Sequence, residues 1–154
     1  MSLVLNSLSL WLHSLASIVF IGYFLLLALI FLPALLTTEN GPALSAISKR
    51  SRPWLYTSLL VFIITGVYLM LINPNYLGLG NFSNFWAIVM LVKHILIVGM
   101  IAIGFWFNAI LRVGPMQTSK NSAALALTRF RQYVNAMTIS GVLVLLLTAL
   151  AQVQ

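Results

Sequence analysis

Four apolar runs, each long enough to cross a bilayer, constrain this chain more than anything else in its sequence. A helix needs about 20 apolar residues to span the hydrocarbon core. The runs lie at about residues 8–36, 53–72, 84–111 and 130–151, and together they take up most of the 154-residue chain. Backbone N–H and C=O groups find no water in lipid, so a spanning segment must be a helix or part of a closed barrel. The runs are far longer than barrel strands and show no two-residue alternation, which leaves helices. Only 6% of the residues are charged, against roughly 25% in an ordinary soluble domain. The expectation is an all-α, integral membrane four-helix bundle forming a single domain over residues 1–154, with the lipid bilayer as its main partner.

Local signals place the ends of the spans. Thr37-Thr38-Glu39-Asn40-Gly41-Pro42 closes the first. Pro53 suits the first helical position of the second, which stops at Asn73-Pro74. Ser83-Asn84 offers caps for the third, and Gly114-Pro115 breaks the chain before the fourth. The first apolar run lacks a basic leading region and is too long for a signal-peptide core, so it reads as a retained anchor.

Charge gives the orientation. Lys49, Arg50 and Arg52 lie in the first loop, and Arg112, Lys120, Arg129 and Arg131 in or beside the third. The loop from Asn73 to Asn84 carries no charge. Lys and Arg favour the cytoplasmic side, so loops one and three are expected inside and both termini outside (N-out/C-out). This topology also accounts for the net charge of +7, and nucleic acid is not a predicted partner. Belts of interfacial aromatics are expected at the outer face from Trp11, Tyr76 and Trp86, and at the inner face from Trp54 and Tyr56.

Against this apolar background two histidines stand out, His13 and His94. Ionisable groups inside a membrane are costly and are functional candidates by default. His13 precedes Pro33, and His94 precedes Arg112, by distances that put both roughly 27–30 Å from the inner boundary at about 1.5 Å per residue. Spans one and three run in the same direction, so the two imidazoles share the outer half. Met90 lies one turn before His94 on the same helix face, and Met70 ends span two at comparable depth. Two imidazoles with a thioether make a Cu(I) environment, with His13, His94 and Met90 as candidate metal ligands. Alternatively, His13 and His94 are axial ligands of a b-type haem, with Lys93, the one cation inside a span, near an acidic group of the cofactor. The competing reading makes each histidine a hydrogen-bonded packing residue, each methionine a gap filler and Lys93 a snorkelling side chain. Thr65 and Tyr68 are candidate hydrogen-bonding groups for a polar site in the outer half.

Other chemistry is excluded. The chain has no cysteine, so disulfides and thiolate sites are impossible. Glu39 is the only acidic residue, which rules out paired-carboxylate catalysis within one chain. No phosphate-binding glycine loop or zinc-protease motif is present, so no enzyme activity is assigned.

Several short elements, taken in order, resemble the membrane domain of the CopD (copper-resistance D) family. These are Trp11-Leu12-His13, Phe20-Ile21-Gly22 and Phe31-Leu32-Pro33-Ala34-Leu35 in span one; Ser51-Arg52 and Thr65-Gly66-Val67-Tyr68 in span two; Lys93, Asn108 and Pro115 around span three; and Arg129-Phe130-Arg131 with Val144-Leu145-Leu146-Leu147-Thr148-Ala149-Leu150 in span four. Asn108-Ala109 stands where that family has an Asn-Arg pair. The resemblance implies a four-helix unit that handles or transports copper at the bacterial cytoplasmic (inner) membrane. The chain also resembles, over less of its length, the HemJ-type protoporphyrinogen oxidases, compact four-span proteins with a first-helix histidine; that likeness implies haem b and electron transfer or oxidation. The small size and short outer loops also suit a homo-oligomer or an accessory subunit of a larger membrane complex.

Overall fold

The computed structural model describes residues 2–37, 41–78, 80–113 and 120–152. Every long element in it is helical: α1 (Ser2–Leu26), a π-helical turn (Leu27–Phe31), α2 (Leu32–Thr37), α3 (Gly41–Leu71), α4 (Phe85–Val113) and α5 (Lys120–Gln152). Among the described residues, four helical stretches are long and apolar enough to cross a membrane: Leu3–Ala34, Lys49–Leu71, Phe85–Trp106 and Thr128–Gln152. The protein is all-α and multi-pass. Large apolar side chains such as Ile18, Leu29, Leu60, Ile95 and Ile139 stand exposed on these helices, a surface that only a lipid environment accommodates. Glu39, Asn40 and Gly114-Pro115 fall outside the described residues, as do the side chains of Asn108, Arg112 and Lys120.

The chain divides into two compact units, Met1–Phe82 and Ser83–Gln154. In the first, α1 packs on α3. Ser9, Ala16, Phe24 and Leu27 are buried on the α1 side, and Ser58, Phe62 and Thr65 on α3. These positions recur at the three- and four-residue spacing of one helix face. Near the start of α1 the Tyr68 hydroxyl donates to Asn6 Oδ1 at 2.7 Å, joining the two helices.

The wide turn in the first span has a local cause. Leu32 N–H bonds the carbonyl of Leu27, five residues back. Pro33 follows directly; it has no N–H, and its ring clashes with the carbonyl four residues earlier in a regular helix. Loosening one turn before the proline lets α2 continue the apolar stretch.

Pro53 corrects an expectation. It lies inside α3 and does not start it. The helix begins at Gly41, and Pro42 takes the first-turn place where a missing N–H costs nothing. The carbonyl left without a partner by Pro53 belongs to Lys49, in an exposed stretch of the helix beside Arg50 and Arg52, where water can take the bond.

The loop after α3 is set by its asparagines. Asn73 Oδ1 accepts from Asn75 N–H at 2.9 Å, and the Asn73 carbonyl accepts from Tyr76 N–H at 3.0 Å, an Asx turn inside a β-turn. Gly78 and Gly80 have φ of +100° and +86°, a left-handed region that side-chain-bearing residues rarely adopt.

In the second unit, Asn84 caps α4 as its sequence suggests: Oδ1 accepts the Ala87 N–H at 2.7 Å. Replacing Asn84 with alanine is expected to cost about 1 kcal/mol, read as a lowered unfolding midpoint in detergent; an unchanged midpoint would show that the cap is dispensable. Helix α4 packs on α5. Trp86, Val89, Lys93 and Met100 are buried on α4, and Val134, Met137 and Val144 on α5. A Cβ at Gly104 would lie 3.8 Å from the Tyr133 hydroxyl, an ordinary side-chain contact. Trp86 is only 4% exposed, so it is a packing residue and does not belong to the interfacial belt. Trp11 and Trp54 are exposed, at 60% and 70%.

Candidate functional site

His13 lies on the buried stripe of α1, between Ser9 and Ala16, and is itself half-buried. Its Nδ1 stands 3.1 Å from the Phe62 carbonyl and 3.0 Å from Thr65 Oγ1. A carbonyl only accepts. The Thr65 hydroxyl already donates to the Val61 carbonyl at 2.6 Å, so its oxygen presents a lone pair to the ring. Both partners therefore require the proton on Nδ1, and the lone pair of the neutral imidazole falls on Nε2.

The socket is built by α3. Phe62 stacks on the imidazole with centroids 4.6 Å apart and planes at 17°. Gly66 removes the obstacle on the other side: a Cβ there would meet His13 Cε1 at 2.9 Å and Nδ1 at 3.5 Å. A closest approach of 2.9 Å is shorter than real Cβ contacts. Glycine four residues after Phe62 thus leaves that carbonyl open to a side chain from the neighbouring helix, and a carbonyl has two lone pairs to offer. On α1, Ser17 donates to the His13 carbonyl at 2.7 Å.

His94 belongs to the second unit. Its Nδ1 lies 2.6 Å from the carbonyl of Met90, one turn earlier on α4. That contact again places the proton on Nδ1 and the lone pair on Nε2. Met90 meets His94 through its backbone. The neighbouring Lys93 lies on the buried face of α4, 7% exposed, as a side chain whose stem packs along apolar surface does. Among the described residues no group of three or more His, Cys, Asp or Glu side chains gathers; the two histidines are all they contain of these types, since Glu39 lies outside them.

Metal-ligating histidines commonly anchor one ring nitrogen on a carbonyl or another acceptor, which fixes the tautomer and aims the other nitrogen. Both histidines have that arrangement, and His13 has it between two helices, where the ring is also stacked. Sequence reasoning marked Thr65 as a polar neighbour in the outer half. It missed Phe62, one aromatic among many in an apolar run, and Asn6. Gly66 carried a signal only as part of the Thr-Gly-Val-Tyr element. Comparisons with protein-family models, curated proteins and solved structures found no match for this chain.

Proposed function

We propose that this protein handles copper at the bacterial cytoplasmic membrane, with His13 Nε2 as the principal ligand atom in the outer half of the bilayer. The anchoring of Nδ1 by Phe62 and Thr65 is the observation that carries this reading. It holds the ring in one tautomer and one orientation before any metal arrives, which lowers the ordering cost of ligation. His94, in the second unit, is anchored in the same way, with its Nδ1 on the Met90 carbonyl.

Ion charge decides among metals. The chain supplies no carboxylate in its described residues and only Glu39 elsewhere, so a divalent ion would keep both charges uncompensated in a medium of low dielectric constant. Cu(I) carries one charge and accepts nitrogen and sulfur donors, so it is the cargo this donor set favours. The basic residues put loops one and three in the cytoplasm and both termini outside.

Copper analysis of protein purified from copper-supplemented cells tests the assignment. Wild type is expected to carry copper and His13→Ala to lose it. Copper-free wild type, or equal loading of His13→Ala, would overturn the proposal. The visible spectrum of the same sample separates the alternative: a Soret band that disappears in His13→Ala would give Nε2 to haem iron in place of copper.

A further inference from the structure

We propose that the exposed face of α3 holds an anionic phospholipid, with its phosphate on Lys49 and Arg52 and its acyl chains along the apolar residues that follow. The site is independent of the copper reading and uses the side of α3 turned away from α1.

The two sides of α3 carry different chemistry. Ser58, Phe62 and Thr65 are buried on the side that packs on α1. On the far side Lys49, Arg52, Tyr56, Leu60, Ile63 and Val67 follow one another at three- and four-residue spacing, which aligns them in one stripe. All six are exposed, so α1 and α2, the elements packed on α3, leave the stripe open.

Depth matches the stripe to the parts of a lipid. The span Lys49–Leu71 has 23 residues, about 34 Å at 1.5 Å per residue, against a hydrocarbon core of about 30 Å. Lys49 and Arg52 therefore stand at headgroup level, Tyr56 at the interface, and Leu60, Ile63 and Val67 beside acyl chains. Charge, then phenol, then hydrocarbon is the order of a phospholipid read from its head.

Charge selects the head. A guanidinium offers a planar fork and an ammonium a point charge, both suited to phosphate oxygens. The described residues contain no acid to compete for them. A zwitterionic head brings its own cation, which this pair repels, whereas phosphatidylglycerol brings the phosphate alone. The number of cations in a loop governs orientation, but the face they share governs lipid selection. Arg50 separates the two effects. It is also exposed, yet it lies about 100° round the helix from Lys49 and about 160° from Arg52, off the stripe.

The test uses the full chain in phosphatidylcholine nanodiscs with a minor share of phosphatidylglycerol, retained lipids being counted by native mass spectrometry. Wild type is expected to retain phosphatidylglycerol in preference to phosphatidylcholine. Lys49→Gln or Arg52→Gln should lower that preference about fivefold each, and the double variant about thirtyfold, the scale of one and two basic residues at a membrane surface. Arg50→Gln should lower it by less than about twofold, since its charge is not on the stripe. Glycerol 3-phosphate, the head without its chains, should leave the lipid bound even in large excess. No preference in wild type, a loss in Arg50→Gln as large as in Lys49→Gln, or displacement by glycerol 3-phosphate would overturn the site.

Discussion

Replacing Gly66 with leucine is expected to weaken the proposed copper binding about tenfold or more, the usual cost of disturbing the support of a metal-bound histidine. Even alanine places a Cβ 2.9 Å from His13 Cε1, so the ring must move. Its bond to the Phe62 carbonyl and its stacking on the Phe62 ring are both set by that approach. The sign of the stability change separates this account from a general packing defect. Glycine inside a helix costs roughly 0.5–1 kcal/mol relative to alanine, so Gly66→Ala on its own helix should stabilise. With His13 present, overpacking of about 1–3 kcal/mol opposes that gain. In a His13→Ala background the obstacle is gone, and Gly66→Ala is expected to raise the unfolding midpoint. A double-mutant cycle measures the reversal. Equal effects in both backgrounds would show that Gly66 does not seat the imidazole.

Cysteine labelling should give an all-or-none result for orientation. The chain has no native cysteine, so one introduced thiol is the only target. Leu77, 48% exposed in the loop after α3, is predicted to be outside. Leu77→Cys should react with a membrane-impermeant maleimide in intact cells. Ala46, exposed on the first turns of α3 before the basic cluster, is predicted to be inside, and Ala46→Cys should react only after lysis. The opposite pattern would invert the topology and place His13 in the inner half.

How far the sequence could be read differs from element to element. The Asn84 cap and the Asn73-Pro74 turn were legible because each rests on bonds between residues close in the chain. Pro53 misled for a related reason. A proline looks like a helix start, but the carbonyl it orphans lies among exposed basic residues, so the helix passes through. The π-helical turn before Pro33 was equally local, yet a proline permits several adjustments and sequence does not choose among them. Trp86 was misplaced because depth along a helix can be counted, whereas the face that meets another helix cannot.

What the sequence determined by itself is the all-helical, membrane-crossing character of the chain and the number of its crossings. Lipid satisfies no backbone hydrogen bonds, so length and apolarity of each run decide the matter without reference to its neighbours. It also excluded thiolate ligands and left a single carboxylate, since cysteine is absent and Glu39 is the only acidic residue. Only the tertiary structure decided which nitrogen of His13 carries the proton, that Gly66 opens the Phe62 carbonyl to it, and that Lys93 lies on the buried face of α4. Each of these depends on how two helices are rotated about their axes where they touch, and that rotation is fixed by side-chain packing across residues far apart in the chain.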